Sequence, residues 1–318
     1  MILVTGCAGF IGFHLTKKLL LNNKKVIGLD CISNYYSMSK KHQRLEIIKK
    51  EKNFKFLKID LNDYKKTYQK LKKYKIDKVI HLAAQPGVRI SIKYPHNTLK
   101  QNLISFLNII EISRVKKVKK FIYASSSSVY GDSKIYPFNE KDFQNIPVSV
   151  YGATKLSNEI IAESYARNFK LDCVGLRFFT VYGPYGRPDM AYYSFLDNLR
   201  SKKSITVFNK GNMLRDFTYI DDVIDGIVSV IKKKFTNKHE VLNIGKGKPD
   251  KLMDLINLLE KNYEKKFKII FTKTIPLGDI KKTYSNTGRA KKLINWNPKV
   301  NLAKGLKKFV EWYKVDNA

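Results

Sequence analysis

Short apolar runs ending in glycine, aspartate or serine alternate along this chain with stretches whose apolar residues recur every three or four positions. Residues 2–5 form the first run. A glycine turn, Gly6-Cys7-Ala8-Gly9-Phe10-Ile11-Gly12, follows, and Ile11, Leu15 and Leu19 then fall on one helical face. Residues 25–29 predict a second strand ending at Asp30, residues 54–59 a third ending at Asp60-Leu61, and residues 78–82 a fourth opening into Ala83-Ala84-Gln85-Pro86-Gly87. Next come a long helix over 97–115, a strand over 120–124, a serine-rich turn over 125–131, a helix carrying Tyr151 and Lys155, and a strand over 172–176. Repeated strand–helix units predict an α/β fold with a doubly wound parallel sheet, whose ligands lie at the carboxyl ends of the strands. Gly6, Asp30, Asp60, Ala83 and Ser126 all fall at such ends.

After about Arg177 the rhythm breaks. Residues 178–184 read as a loop, 192–201 as a helix and 205–208 as a short strand. Asp221 reads as a helix N-cap, Asn243-Ile244-Gly245 closes a strand, and the tail reads as helix (251–261), strand (267–271) and helix (303–313). The expected organisation is a first domain over residues 1–176, with return segments at about 215–244, and a smaller interleaved α/β domain over 177–318.

Composition narrows the compartment and partners. The 318 residues supply ample apolar content for a core. No apolar run reaches the roughly 18 residues of a membrane span, and a strand starting at Ile2 leaves no room for a signal peptide. Cys7, Cys31 and Cys173 have neither metal-ligand spacing nor a disulfide framework, so a reducing cytoplasm is expected, with no metal. The net charge of +34 comes from 52 Lys and only nine Arg, the Lys scattered over every predicted helix. Base and phosphate readers favour Arg, so nucleic acid is not the expected partner. The positive field attracts anionic substrates instead.

The chemistry starts at the glycine turn. Its first glycine allows a tight turn, its second lets backbone approach a pyrophosphate, and its third lets helix pack on strand. The helix N-terminus then faces the phosphates. Asp30, at the end of the next strand, would accept the adenosine ribose hydroxyls and repel a 2′-phosphate, which favours NAD over NADP. Tyr151 and Lys155 stand at i and i+4, on one helix face. A neighbouring cation favours a phenolate, but lowering a tyrosine from about 10 to about 7 takes roughly 4 kcal/mol, and a positively charged cofactor ring would supply what the lysine does not.

Together, Gly6-x-x-Gly9-x-x-Gly12, the serine-rich strand end with Val129-Tyr130-Gly131, Tyr151-x-x-x-Lys155 and Arg215-Asp216-Phe217 before Asp221-Asp222 resemble the extended short-chain dehydrogenase/reductase family, in particular its nucleotide-sugar epimerases and dehydratases. The resemblance covers nearly the whole chain and implies a Rossmann-type sheet with a UDP-sugar domain. Residues 125–131, 176–184 and Gly186-Arg187-Pro188-Asp189-Met190 are most similar to the UDP-glucuronate 4-epimerases. The related 4,6-dehydratases carry an Asp-Glu pair where Ser127 and Ser128 stand, and UDP-glucuronate decarboxylases a Glu at Ser128. Elimination of water needs an acid and a base that are missing here.

The resemblance implies Tyr151, Lys155 and Ser126 as catalytic residues. It implies NAD held by Gly6, Gly9, Phe10, Ile11, Gly12, Asp30, Asp60, Leu61, Leu82, Ala83, Ala84, Asn102, Ser125, Tyr151, Lys155 and Phe179. For the substrate it implies Ser127, Ser128, Thr180 and Arg187 at the sugar, Arg215 at the UDP phosphates, and Val207 and Phe208 near the uracil. Many relatives have a second phosphate-binding Arg where this chain has Pro276-Leu277, so either another cation, Arg289 or a Lys, replaces it or the phosphate site is looser. Relatives are commonly homodimers. Three activities stay open: a uronate 4-epimerase, an epimerase of neutral UDP-hexoses or N-acetylhexosamines (or a decarboxylase-like enzyme), and an idle NAD-binding scaffold. Outside the motifs, His81 and Cys7 read as packing, His14 as a satisfied residue, Lys232-Lys233-Lys234 as a helix end, and Trp296 and Trp312 as anchors of the C-terminal half.

Overall fold

Neighbouring residues of each central strand enter different cores, as a period-two backbone requires. The computed structural model describes residues 1–142 and 146–317. In chain order the strands are β1 (Ile2–Thr5), β2 (Val26–Asp30), β3 (Phe54–Lys58), β4 (Lys78–His81), β5 (Lys120–Ser126), β6 (Cys173–Phe178), β7 (Thr180–Tyr182), β8 (Ile205–Val207), β9 (Leu214–Arg215), β10 (Phe217–Tyr219), β11 (His239–Ile244), β12 (Asp250–Lys251) and β13 (Ile269–Phe271). The helices are α1 (Phe10–Leu21), α2 (Met38–Lys49), α3 (Tyr64–Leu71), α4 (Val88–Lys93), α5 (Pro95–Leu99), α6 (Ser105–Val115), α7 (Val150–Phe169), α8 (Ala191–Arg200), α9 (Ile220–Lys232), α10 (Leu252–Tyr263), α11 (Gly288–Ile294) and α12 (Leu302–Asp316).

The main sheet is parallel throughout, seven strands in the order β11-β6-β5-β4-β1-β2-β3. Leu3, Ile27, Val79, Phe121 and Cys173 join one core with residues of α3, α6 and α7. Val4, Val26, Ile80, Ile122 and Val174 join another with α1, α2, α9 and the C-terminal helices. Each fully buried aliphatic side chain in these layers contributes about 1.5–3 kcal/mol. The order reverses between β1 and β4, the switch point where such sheets bind ligands.

Three local expectations change. The stretch read as a loop at 178–184 contains β7, which pairs in parallel with β10; its partner lies too far along the chain for local pattern to reveal. The helix expected over 97–115 is α5 and α6 joined by a turn of π-helix at Lys100–Ile104. Asp221 is not the N-cap of α9: Tyr219 holds that position, and Asp221 lies inside the first turn. Its neighbour Asp222 accepts the backbone N–H groups of Lys299 (3.0 Å) and Val300 (2.9 Å), tying the C-terminal segment to the helix. Trp296 is buried, donating its indole N–H to Asp222 O at 2.8 Å, and Trp312 is half-buried against the same core. Among the described residues no helix is long and apolar enough to cross a membrane.

Candidate active site

One cavity of about 1580 Å³ runs along the carboxyl ends of the central strands and on between β7, α8 and the 278–283 segment. That exceeds the roughly 300–1,000 Å³ of a usual small-molecule site and suits two ligands lying end to end. Gly6 has φ +69°, and a Cβ there would stand 2.8 Å from Ala83 N, so a glycine is required where β1 meets β4. At Gly12 a Cβ would fall 2.0 Å from Gly6 O. Phe10, Ile11 and Gly12 form the first turn of α1 and line the cavity, with N–H groups that helix geometry leaves unpaired. Asp30 accepts Ala8 N at 3.1 Å and Ile32 N at 2.8 Å, which fixes its carboxylate at the cavity wall with further lone pairs to spare. Asp60, Leu61, Leu82, Ala83, Ala84, Ser125 and Phe179 line the same half. Asn102 does not: it is buried behind the wall, its amide bonded to Gln85 N (2.7 Å), Gln85 O (3.1 Å) and Thr154 Oγ1 (3.1 Å). It shapes the 83–87 loop from behind.

Helix α7 starts where Ser149 caps it, accepting Gly152 N at 3.0 Å. This cap sets Tyr151 and Lys155 on the cavity side. The Lys155 ammonium donates to Ala124 O at 2.9 Å and lies 5.8 Å from the Tyr151 ring. Burial pushes Lys155 down to about 8. Burial also raises Tyr151, while a hydrogen bond with Ser126 and the charge of Arg187 pull it back. Ser126 Oγ accepts Ser128 N at 3.1 Å, so the serine turn presents the hydroxyl beside the phenol. Ser125 directs its hydroxyl elsewhere, to Glu159 Oε1 at 2.5 Å. Glu159, which the sequence reading missed, forms a bidentate buried pair with Arg177 (2.9 and 2.7 Å). Its signal was spacing: Tyr151, Lys155 and Glu159 follow each other at i, i+4 and i+8 on one face of α7.

Ser127, Ser128, Thr180 and Arg187 line the cavity beyond Tyr151. The Arg187 guanidinium pairs with Asp189, Nε to Oδ1 at 3.0 Å and Nη2 to Oδ2 at 2.5 Å. Farther out, Arg215 bonds Asp279 Oδ1 at 2.7 Å, and Arg89 stands 3.8 Å from Asp279 Oδ2 with its guanidinium 5.1 Å from the Phe208 ring. All four residues line the cavity. Next to Arg215, Asp216 is fully buried and accepts Lys246 N, Gly247 N, Ser285 N and Ser285 Oγ, which anchors the turn between β9 and β10. Two of the expected residues stand apart from this group. Val207 is buried and does not line the cavity, unlike its neighbour Phe208. Arg289 is paired with Glu240 and also lies outside it. The cation at hand is Arg89, on a short helix after the 83–87 loop that sequence reading did not single out.

The chain matches the NAD dependent epimerase/dehydratase family over residues 2–245. The UDP-glucuronate 4-epimerase of Thermodesulfobacterium geofontis is 38% identical over 313 residues, 98% of this chain and 95% of that one. The crystal structure of a UDP-glucuronic acid 4-epimerase from Bacillus cereus, in complex with UDP-glucuronic acid and NAD, superposes with a TM-score of 0.91 at 37% identity, covering 99% of both chains. A UDP-glucose 4-epimerase from Thermotoga maritima, solved with UDP-glucose, gives a TM-score of 0.91 at 31% identity over 100% of this chain and 99% of that one.

Proposed function

Since the chain belongs to the NAD dependent epimerase/dehydratase family, we propose that it is an NAD-dependent isomerase interconverting UDP-glucuronate and UDP-galacturonate by inverting C4. The observation that carries the reading is a guanidinium, Arg187, whose charge bears on the Tyr151 phenol in a cavity where positions 127 and 128 are serines. A C6 carboxylate has a cationic partner there, and an elimination of water has no carboxyl to drive it.

The glycine turn, the open first turn of α1 and the Asp30 carboxylate fit a dinucleotide. NAD, when bound, supplies a reversible hydride acceptor at C4 and is regenerated each turnover. Tyr151 takes the C4 hydroxyl proton as the sugar becomes a 4-keto sugar and returns it after the ring has turned over. Ser126 hydrogen-bonds the same oxygen. Lys155 holds the phenolate electrostatically, helped by the cofactor's positive ring. Arg187, Thr180, Ser127 and Ser128 hold the carboxylate. This matters because a 4-keto uronate is a β-keto acid that loses carbon dioxide when its C5–C6 bond aligns with the carbonyl π system. Arg215 and Arg89 hold the diphosphate, with Phe208 beside the uracil.

A second reading, inversion of a neutral UDP-hexose, draws on the likeness to the Thermotoga maritima enzyme. A product assay by NMR separates the two: purified protein receives UDP-glucuronate, UDP-glucose, UDP-galactose and UDP-N-acetylglucosamine separately. C4 inversion of the uronate alone is expected; inversion of the neutral sugars with an untouched uronate overturns the assignment, and no turnover at all favours an idle scaffold. We read the compartment as the cytoplasm, which suits three cysteines without a disulfide. We also read the protein as a homodimer, because Leu107 and Ile160 stand exposed on the adjacent helices α6 and α7. Replacing both by Glu is expected to leave a monomer in light scattering; an unchanged mass rules out this face.

A further inference from the structure

The guanidinium of Arg187 is not a free arm. Asp189 takes its lateral edge through Nε and Nη2, which leaves Nη1 turned away from that carboxylate, and the Tyr35 hydroxyl also hydrogen-bonds the Arg187 side chain. Asp189 in turn accepts a hydrogen bond from the Tyr35 hydroxyl at 2.9 Å, and the Tyr35 ring lies 5.8 Å from the guanidinium centre. Burial pushes Tyr35 up to about 12, so it donates at any working pH. On the other side of Arg187, Gly186 O accepts Arg44 Nη2 at 2.9 Å. Arg44 is 1% exposed, and its Nη1 donates to Ala8 O (3.1 Å) and Tyr36 OH (2.6 Å). It forms no ion pair among the described residues. Tyr35 and Arg44 both come from the segment after β2, in the half of the molecule that carries the glycine turn. The loop bearing Arg187 is thus fastened on both flanks by one segment, and Arg44 ties it to the turn itself.

We infer that Tyr35 and Asp189 are positioning residues that fix the plane of the Arg187 guanidinium and leave its Nη1 edge to the substrate carboxylate, with Arg44 fastening the loop beneath. The inference rests on the uronate reading of the site. An unrestrained arginine turns about several bonds; a bidentate carboxylate fixes its plane, and a carboxylate bound to the remaining edge inherits one orientation. That orientation keeps C5–C6 out of line with the C4 carbonyl. When it is lost, C5–C6 breaks, carbon dioxide leaves, the electron pair passes through C5 to the C4 oxygen, and C5 takes up a proton.

The test uses the NAD-loaded protein with Tyr35→Phe, which keeps the ring beneath the guanidinium and removes only the hydroxyl. The KM for UDP-glucuronate is expected to rise about tenfold, the worth of one hydrogen bond to a charged group. The Kd for UDP alone stays put, and NMR shows a UDP-4-ketopentose, or the UDP-pentose that hydride return to its C4 gives, that the native protein does not form. Asp189→Asn is expected to raise the KM and the decarboxylated fraction further, again with the Kd for UDP unchanged. Native protein that inverts UDP-glucuronate beside variants with unchanged KM and product ratio overturns this inference alone, as does an equal loss for UDP and UDP-glucuronate. Native protein that leaves UDP-glucuronate untouched overturns the uronate reading, and the inference with it.

Discussion

The Lys155 ammonium donates to the Ala124 carbonyl 2.9 Å away, which fastens helix α7 to the end of β5 and holds the Tyr151 ring beside the serine turn. Burial lowers Lys155 to about 8 and raises Tyr151. The cofactor-free protein is therefore poorly supplied with phenolate at neutral pH. Adding NAD is expected to lower the pH at which Tyr151 ionises, read as an ultraviolet difference signal absent from Tyr151→Phe. Lys155→Met is expected to reduce that shift and to cut kcat by about 100-fold or more. Identical titrations with and without NAD contradict the account.

Removing half of the buried Glu159–Arg177 pair leaves a guanidinium without its anion. Glu159→Gln is expected to destabilise the fold by about 3–5 kcal/mol in urea denaturation. A loss under about 1 kcal/mol, the usual worth of an exposed pair, contradicts this reading.

His81 is pushed down to about 3, mainly by burial, with the charge of Lys155 adding to it. Its folded pKa lies below the unfolded value of about 6.5, so the unfolded chain binds the proton first. The stability contribution is full above that unfolded value and is lost as pH falls from about 6.5 through about 3, at up to about 1.4 kcal/mol per pH unit. Urea midpoints at pH 7, 5.5 and 4 should fall less steeply for His81→Gln than for the native protein; parallel lines refute the assignment.

Arg89→Ala is expected to weaken UDP and every UDP-sugar alike, by about tenfold, and to reduce the salt dependence of binding. Arg289→Ala, which breaks the pair with Glu240, should leave UDP affinity unchanged. The reverse pattern would return the second phosphate contact to Arg289.

What the sequence disclosed was local. The glycine turn, Asp30 and the i, i+4 pair on α7 each carry their meaning within a few residues, and the alternation of strands and helices gives the sheet. The contacts that shape the substrate half are not local. Tyr35 and Asp189 are 154 positions apart, and Arg215 shares Asp279 with Arg89 only because the 278–283 segment crosses the cavity mouth. Val207 faces the core while the next residue, Phe208, starts a turn toward the cavity, a difference that strand alternation alone does not reveal. The polar groups of Asn102 and Ser125 are taken up by Gln85, Thr154 and Glu159, which only tertiary structure reveals.

The central claim is that C4 is oxidised and reduced again within one turnover, without exchange with water. UDP-glucuronate carrying deuterium at C4 tests it directly. The account predicts that the UDP-galacturonate formed in ordinary water keeps the deuterium at C4, as seen by NMR and mass spectrometry. Inversion with deuterium washed out to solvent would contradict it.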